Sequence, residues 1–205
     1  MSDLDDPRCE VLVLGIGNLL WADEGFGVRC VEQLAAQWQV PEGVTVMDGG
    51  TQGLYLLPYV QGARRLIVFD AIDYGLPAGT MKRVEGDEVP RFMGAKKMSL
   101  HQTGFQEVIA AADLTGQLPQ ELLLIGVQPE ELEDYGGSLR EAVKARLTDA
   151  VAMAVAQLRD WGCMVEARGA SVGADATALD MESYEAGRPS AELASRIGDD
   201  RFMTA

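Results

Sequence analysis

Four consecutive apolar residues, Val11-Leu12-Val13-Leu14, run into Gly15-Ile16-Gly17, and this junction constrains the chain more than any other stretch. A short apolar run bounded by turn residues reads as a fully buried strand. Gly15 and Gly17 allow a sharp turn, because glycine takes positive φ without strain. Asp23 and Glu24 end the turn, and Gly25 and Gly27 flank the entry to a helix. The apolar residues of that helix, Val28, Val31, Leu34, Ala35 and Trp38, keep the spacing of one face. Two carboxylates therefore stand at the carboxyl edge of a buried strand, where open α/β sheets bind ligands.

The same arrangement recurs along the chain. Val44–Met47 reads as a second strand ending at Asp48, and Leu66–Phe69 as a third ending at Asp70. Thr80–Val84 and Leu122–Val127 complete a set of five. Thr80–Val84 is expected at an edge, since Lys82 and Arg83 interrupt it. It is also expected to be antiparallel, since the turn Tyr74–Gly79 is too short for a crossover helix. Helices are predicted over Leu54–Val60 and Gly104–Ala112. A longer one is expected behind a Ser138/Glu141 capping box, with a stop at Gly162. Glu85–Lys97 reads as loop with a helical turn near Val89–Met93. Strands alternating with helices predict an α/β fold in three layers: a mostly parallel five-stranded twisted sheet with helices on both faces. Residues 1–162 form the expected domain. Residues 163–205 read as a weakly patterned tail, loose on its own, with one short helix over Ser190–Ile197.

The formal net charge of −15 over 205 residues argues against nucleic acid as a partner, which needs a basic stripe. No apolar run approaches the ~20 residues of a membrane span, so no membrane insertion is expected. Met1–Glu10 is acidic and lacks the apolar segment of a signal peptide. Cys9, Cys30 and Cys163 are odd in number and scattered, as free thiols of a cytoplasmic protein would be.

Strands one, two and three end in Asp23/Glu24, Asp48 and Asp70, and parallel strands share that edge. The single histidine, His101, stands just before a helix and could join them. One imidazole with carboxylates suits a divalent ion such as nickel, zinc, manganese or iron. The competing reading is that acids at loop tips are solvated or cap the next helix. Asp48 could also serve as a general base within one water of such a site. Alternatively, Asp48 and Asp70 could share a proton as aspartic proteases do. Other motifs fail. Leu20 stands where a dinucleotide fingerprint needs glycine, one histidine excludes HExxH, and no GxSxG elbow exists.

The runs Gly15-Ile16-Gly17-Asn18, Asp23-Glu24-Gly25-Phe26-Gly27, Asp48-Gly49-Gly50-Thr51, Asp70-Ala71, Ser99-Leu100-His101-Gln102 and Gly126-Val127-Gln128-Pro129 occur in the order and spacing of a known family. From Val11 to Trp161 the chain resembles the hydrogenase maturation endopeptidases, which trim the large subunit of nickel–iron hydrogenases. The run Leu20–Glu24 is most similar to members that serve uptake hydrogenases. The resemblance implies metal ligands at Glu24, Asp70 and His101, and a further carboxylate of interest at Asp48, so that Asp48 and Asp70 are the catalytic candidates. It implies a single cut that removes a C-terminal extension from the large-subunit precursor, with nickel carried by that precursor as the recognition mark. Two alternatives stand beside a protease: a non-enzymatic nickel-sensing chaperone of the large subunit, and a nucleotide-binding α/β enzyme.

Overall fold

The Val11–Leu14 run lies in the interior of a five-stranded sheet, and all four side chains are shut off from solvent. The computed structural model describes residues 9–94, 100–169 and 181–187. Strand β1 (Cys9–Ile16) pairs in parallel with β3 (Val44–Gly50) on one side and β4 (Ala63–Ala71) on the other. Strand β4 pairs in parallel with β6 (Glu121–Val127), and β5 (Met81–Glu85) closes the order β3-β1-β4-β6-β5 as an antiparallel edge. The edge position and reversed direction of this strand match the expectation from its charges and short turn.

Strand alternation divides the apolar side chains between two layers. Val11, Val13, Ile67, Phe69, Leu123 and Ile125 pack with helices α1 (Phe26–Gln37) and α6 (Leu147–Asp160). Leu12, Leu14, Leu66, Val68, Leu122 and Leu124 face the other way, toward α2 (Leu57–Gly62) and α4 (Leu100–Leu114). A parallel sheet needs this cover on both faces, because its strands are apolar on both sides. None of the described helices is long and apolar enough to cross a membrane.

The start of helix α1 meets the sheet through glycine. A Cβ on Gly27 would lie 2.3 Å from the carbonyl oxygens of both Ile16 and Phe69, and one on Gly15 would lie 2.2 Å from the carbonyl oxygen of Gly27. Gly17 has φ +134°, and a Cβ there would meet the Glu24 carbonyl at 1.7 Å. Backbone thus packs on backbone where β1 gives way to α1.

Several elements differ from the sequence reading. Helix α4 begins at Leu100, not Gly104, so His101 belongs to its first turn and not to a preceding loop. The Glu85–Lys97 region contains a helix, α3 (Glu88–Gly94). The long helix is broken into α5 (Glu141–Lys144) and α6, and Ser138 caps neither. Its hydroxyl donates instead to Glu185 Oε1 at 2.8 Å. The stop at Gly162 is as expected. With φ +84° it lets its own N–H reach the Arg159 carbonyl and the Cys163 N–H reach that of Leu158, both at 2.9 Å.

The described parts of the 163–205 segment pack onto the domain, in contrast to a tail loose throughout. Val165 is buried in the α1/α6 layer. Strand β7 (Glu166–Ala167) pairs antiparallel with β2 (Trp38–Gln39), directly after α1. Helix α7 (Met181–Gly187) sends Glu185 to Lys144 at 2.8 Å and sets the Tyr184 ring 6.0 Å from the Arg29 guanidinium. These are long-range contacts that no local pattern announces. The helix expected over Ser190–Ile197 lies outside the described residues.

The glycine contact predicts that Gly27→Ala lowers unfolding free energy by at least the ~1–3 kcal/mol of an overpacked core. Urea unfolding measures it. An unchanged midpoint would show that α1 can back away from β1 at no cost.

Candidate functional site

Sheet register brings the candidate acids to one edge. Gly15 is level with Asp48 on one neighbour and Phe69 on the other, and Asp70 is level with Gly126. Beyond these strand ends lie the 3₁₀ turn Ala22–Gly25, the Gly49–Gly53 loop and the segment from Gln128 to Arg140.

Asp23 and Glu24 are sequence neighbours with different surroundings. Both are buried. Asp23 Oδ2 accepts the backbone N–H groups of Glu130 and Glu131 at 2.8 and 2.9 Å, and its Oδ1 accepts that of Arg140 at 2.7 Å. Charge-assisted bonds of this kind are about twice as strong as neutral ones. Asp23 is therefore a clasp between the 3₁₀ turn and the 130–140 segment. It also holds down Ala22, whose φ of +37° is strained for a residue with a Cβ. The Trp21 and Tyr135 rings, edge to face at 5.2 Å, close the same junction from outside.

Glu24 faces Asp70. Burial pushes the Asp70 carboxyl well above the usual carboxylate range; a hydrogen bond from the Ala71 backbone opposes this, and the negative charge of Glu24 adds to it. Two carboxylates removed from water beside each other are costly to ionise together. A divalent cation shared between them offsets that cost, and hard oxygen ligands suit it. The pair thus fits one side of a metal site. By alternation Asp70 lies on the same face as Leu66 and Val68, the face that α4 covers through Phe105, Val108 and Ile109. Gly104 of α4 also approaches Gly53, with a Gly104 Cβ 3.4 Å from the Gly53 Cα. His101, one turn earlier, lies in the first turn of the helix that roofs this face. Its side chain lies outside the described residues, among which no cluster of three metal-ligating side chains gathers.

Asp48 stands apart. Strand β1 lies between it and Asp70, so two strand spacings, roughly 10 Å, separate their backbones. In register it is level with Phe69, which sends it to the opposite face from Asp70. A proton-sharing pair needs its carboxylates in contact, so the Asp48/Asp70 pair allowed by the sequence is not one. The carboxylate coupled to Asp70 is Glu24. Asp48 is exposed at the rim, raised somewhat above its ordinary pKa by partial desolvation and lowered by a hydrogen bond from the Gly50 backbone.

The sequence reading passed over one further group, the 72–79 connection, as a turn. Buried Gln128 organises it: Oε1 accepts the N–H groups of Tyr74 and Leu76 at 2.7 and 3.1 Å, and Nε2 donates to Asp73 Oδ1 and the Pro129 carbonyl at 3.0 and 3.1 Å. A glutamine ending an apolar strand was the available signal.

Comparison with known proteins is consistent with this geometry. The sequence profile of a family described as hydrogenase maturation protease (HycI) matches residues 28–157. The hydrogenase expression/formation protein HupD of Thiocapsa roseopersicina is 59% identical, over 98% of this chain and 91% of that one. HoxM of Azotobacter vinelandii, described in the same words, is 62% identical over 94% of each chain. The solved hydrogenase maturating endopeptidase HybD from Escherichia coli superposes with a TM-score of 0.73 at 39% identity, covering 78% of this chain and 98% of that one. The additional length of this chain is therefore shared with the first two relatives and not with the third.

Two buried aspartates predict opposite stability effects. Asp23→Ala removes three charge-assisted bonds from part-buried N–H groups, a loss of about 3 kcal/mol. Asp70→Asn acts in the other direction. The folded pKa of Asp70 lies above its unfolded value of about 3.9. The folded chain therefore loses stability as pH rises from there through the folded pKa, and asparagine has no proton to lose. In chelator at pH 7 the Asp70→Asn protein should melt above the wild type, with a flatter loss of stability from acid to neutral pH. A lower melting temperature would contradict this account of Asp70.

Proposed function

The chain belongs to the hydrogenase maturation protease family, and on that premise we propose that it removes the C-terminal extension of a nickel–iron hydrogenase large-subunit precursor in one cut, after nickel has been inserted. The carrying observation is the buried Glu24–Asp70 pair at the sheet edge, on a face roofed by the helix whose first turn contains His101. The relatives described as hydrogenase expression/formation proteins support a hydrogenase as the client.

Nickel enters this reading as part of the substrate. Glu24, Asp70 and His101 add two oxygens and one nitrogen from the enzyme side, a set with no thiolate and hence no permanent soft cage. A bound nickel polarises a carbonyl or lowers the pKa of a water. The remaining work falls to the chain. The Asp23 clasp and the Gly15–Gly27 contact hold Glu24 in place before the precursor arrives, so binding is converted into positioning. The base in this reading is Asp48, exposed at the rim on the far side of β1 from Asp70, acting on a scissile segment that crosses the sheet edge from the ion toward β3. It takes a proton from the attacking water as hydroxide adds to the scissile carbonyl carbon, and returns it to the departing amine as the C–N bond breaks. Asp70 has a ligand's role here, orienting the ion in the site. The free thiols Cys30 and Cys163 fit a reducing compartment, the cytoplasm.

Recognition through a shared ion restricts binding energy to the metal-loaded precursor, which discriminates two forms of one chain. Purified precursor with inserted nickel should be cut, and the same precursor without nickel should persist. Equal rates for the two, or comparable cleavage of casein, would overturn the checkpoint reading. Binding of the loaded precursor with no cleavage at all would turn the reading to a nickel-sensing chaperone.

His101→Ala should leave the melting temperature near that of the wild type while processing falls more than about 100-fold, beyond the usual cost of losing an outer supporting group. Full processing by this variant would remove His101 from the site.

A further inference from the structure

The 72–79 connection is built to place one phenol. Gln128 fixes the Tyr74 backbone, and the ring packs in the α2/α4 layer with Ile72, Val84 and Val89, with Lys82 Nζ 5.2 Å from its centroid. Space for the hydroxyl comes from Gly126. A Cβ on that residue would lie 1.8 Å from Tyr74 Oη. Gly126 is the register partner of Asp70 on the adjacent strand, and partners at one level of a parallel pair project to the same face about 5 Å apart. The Tyr74 hydroxyl therefore fills the place where a side chain neighbouring Asp70 would stand. It lies on the same face as Asp70, roughly 5 Å from the Asp70 Cβ, within the reach of one bridging water from the carboxylate. Burial first and the Asp70 charge second push the Tyr74 hydroxyl well above its ordinary pKa, so it remains a protonated donor across the physiological range.

We propose that Tyr74 is a positioning residue for Asp70: its hydroxyl donates, through one bridging water, to the carboxylate oxygen that Asp70 does not give to the ion. Ligating carboxylates are held in this way by outer hydrogen bonds that fix their orientation. Four residues then form one unit: Gln128 sets the loop, the missing side chain of Gly126 admits the hydroxyl, Tyr74 orients, and Asp70 binds. The proposal rests on the reading of Asp70 as a metal ligand. The competing explanation is that the ring merely fills the core, in which case phenylalanine serves equally well.

The test compares full-length wild type, Tyr74→Phe and Asp70→Asn. Nickel(II) titration by calorimetry, melting temperature, and steady-state processing of nickel-loaded precursor are measured for each. The ring is kept in Tyr74→Phe, so its melting temperature should stay within a few degrees of the wild type. Its nickel affinity should fall by about 10–100-fold, and its kcat should fall while KM for the precursor stays within about twofold. Tyr74→Phe that binds nickel like the wild type overturns the proposal and leaves Asp70 a ligand, whatever its melting temperature. Asp70→Asn that binds nickel like the wild type, or that processes nickel-loaded precursor like the wild type, overturns the ligand reading itself and this proposal with it. Should the free wild type bind no nickel, the kcat of Tyr74→Phe on loaded precursor decides, and an unchanged kcat overturns the proposal.

Discussion

Backbone meets backbone where helix α1 leaves strand β1, and the site depends on that contact. Gly15 and Gly27 let the start of the helix rest against the carbonyls of Ile16 and Phe69. Any side chain there would push the helix outward and carry the preceding 3₁₀ turn with it. Glu24 sits on that turn, so its distance from Asp70 is set by the absence of two Cβ atoms. Close-packed interiors transmit such displacements because they contain little free space to absorb them.

Buried carboxylates at this edge divide the work by what surrounds them. Asp23 is satisfied by three backbone N–H groups and acts as a structural anion. Glu24 and Asp70 are left beside each other, where burial first and the Glu24 charge after it raise the cost of ionising Asp70. A charge that is fully hydrogen-bonded stabilises its surroundings, whereas one facing a like charge favours a cation or a proton. Adjacent letters in the sequence thus carry a scaffold role and a site role.

Local patterns were legible where the physics is local. Apolar runs marked the three central strands β1, β4 and β6, because burial on both faces demands continuous apolar sequence. The antiparallel edge strand followed from a turn too short for a crossover, and the helix stop followed from Gly162. Readings that needed a distant partner failed. Ser138 resembled a helix cap until Glu185, 47 residues away, took its hydroxyl. The 163–169 and 181–187 segments looked unpatterned because β2, Lys144 and Arg29, and not an apolar period of their own, hold them.

Residue identity by itself determined the fold class, the family and the set of acids at the strand ends. These follow from hydrophobic periodicity, glycine positions and motif order, all read along one dimension. Tertiary structure decided which acids act together. Asp48 and Asp70 end neighbouring runs in the sequence, yet β1 inserts between them and strand alternation turns them to opposite faces. Glu24 and Asp70, 46 positions apart, meet because a glycine contact draws the turn over the sheet. Tyr74 belongs with them only through the space left at Gly126 on a third strand. Sheet order and the absence of a side chain are relations between segments, and no single stretch of sequence carries them.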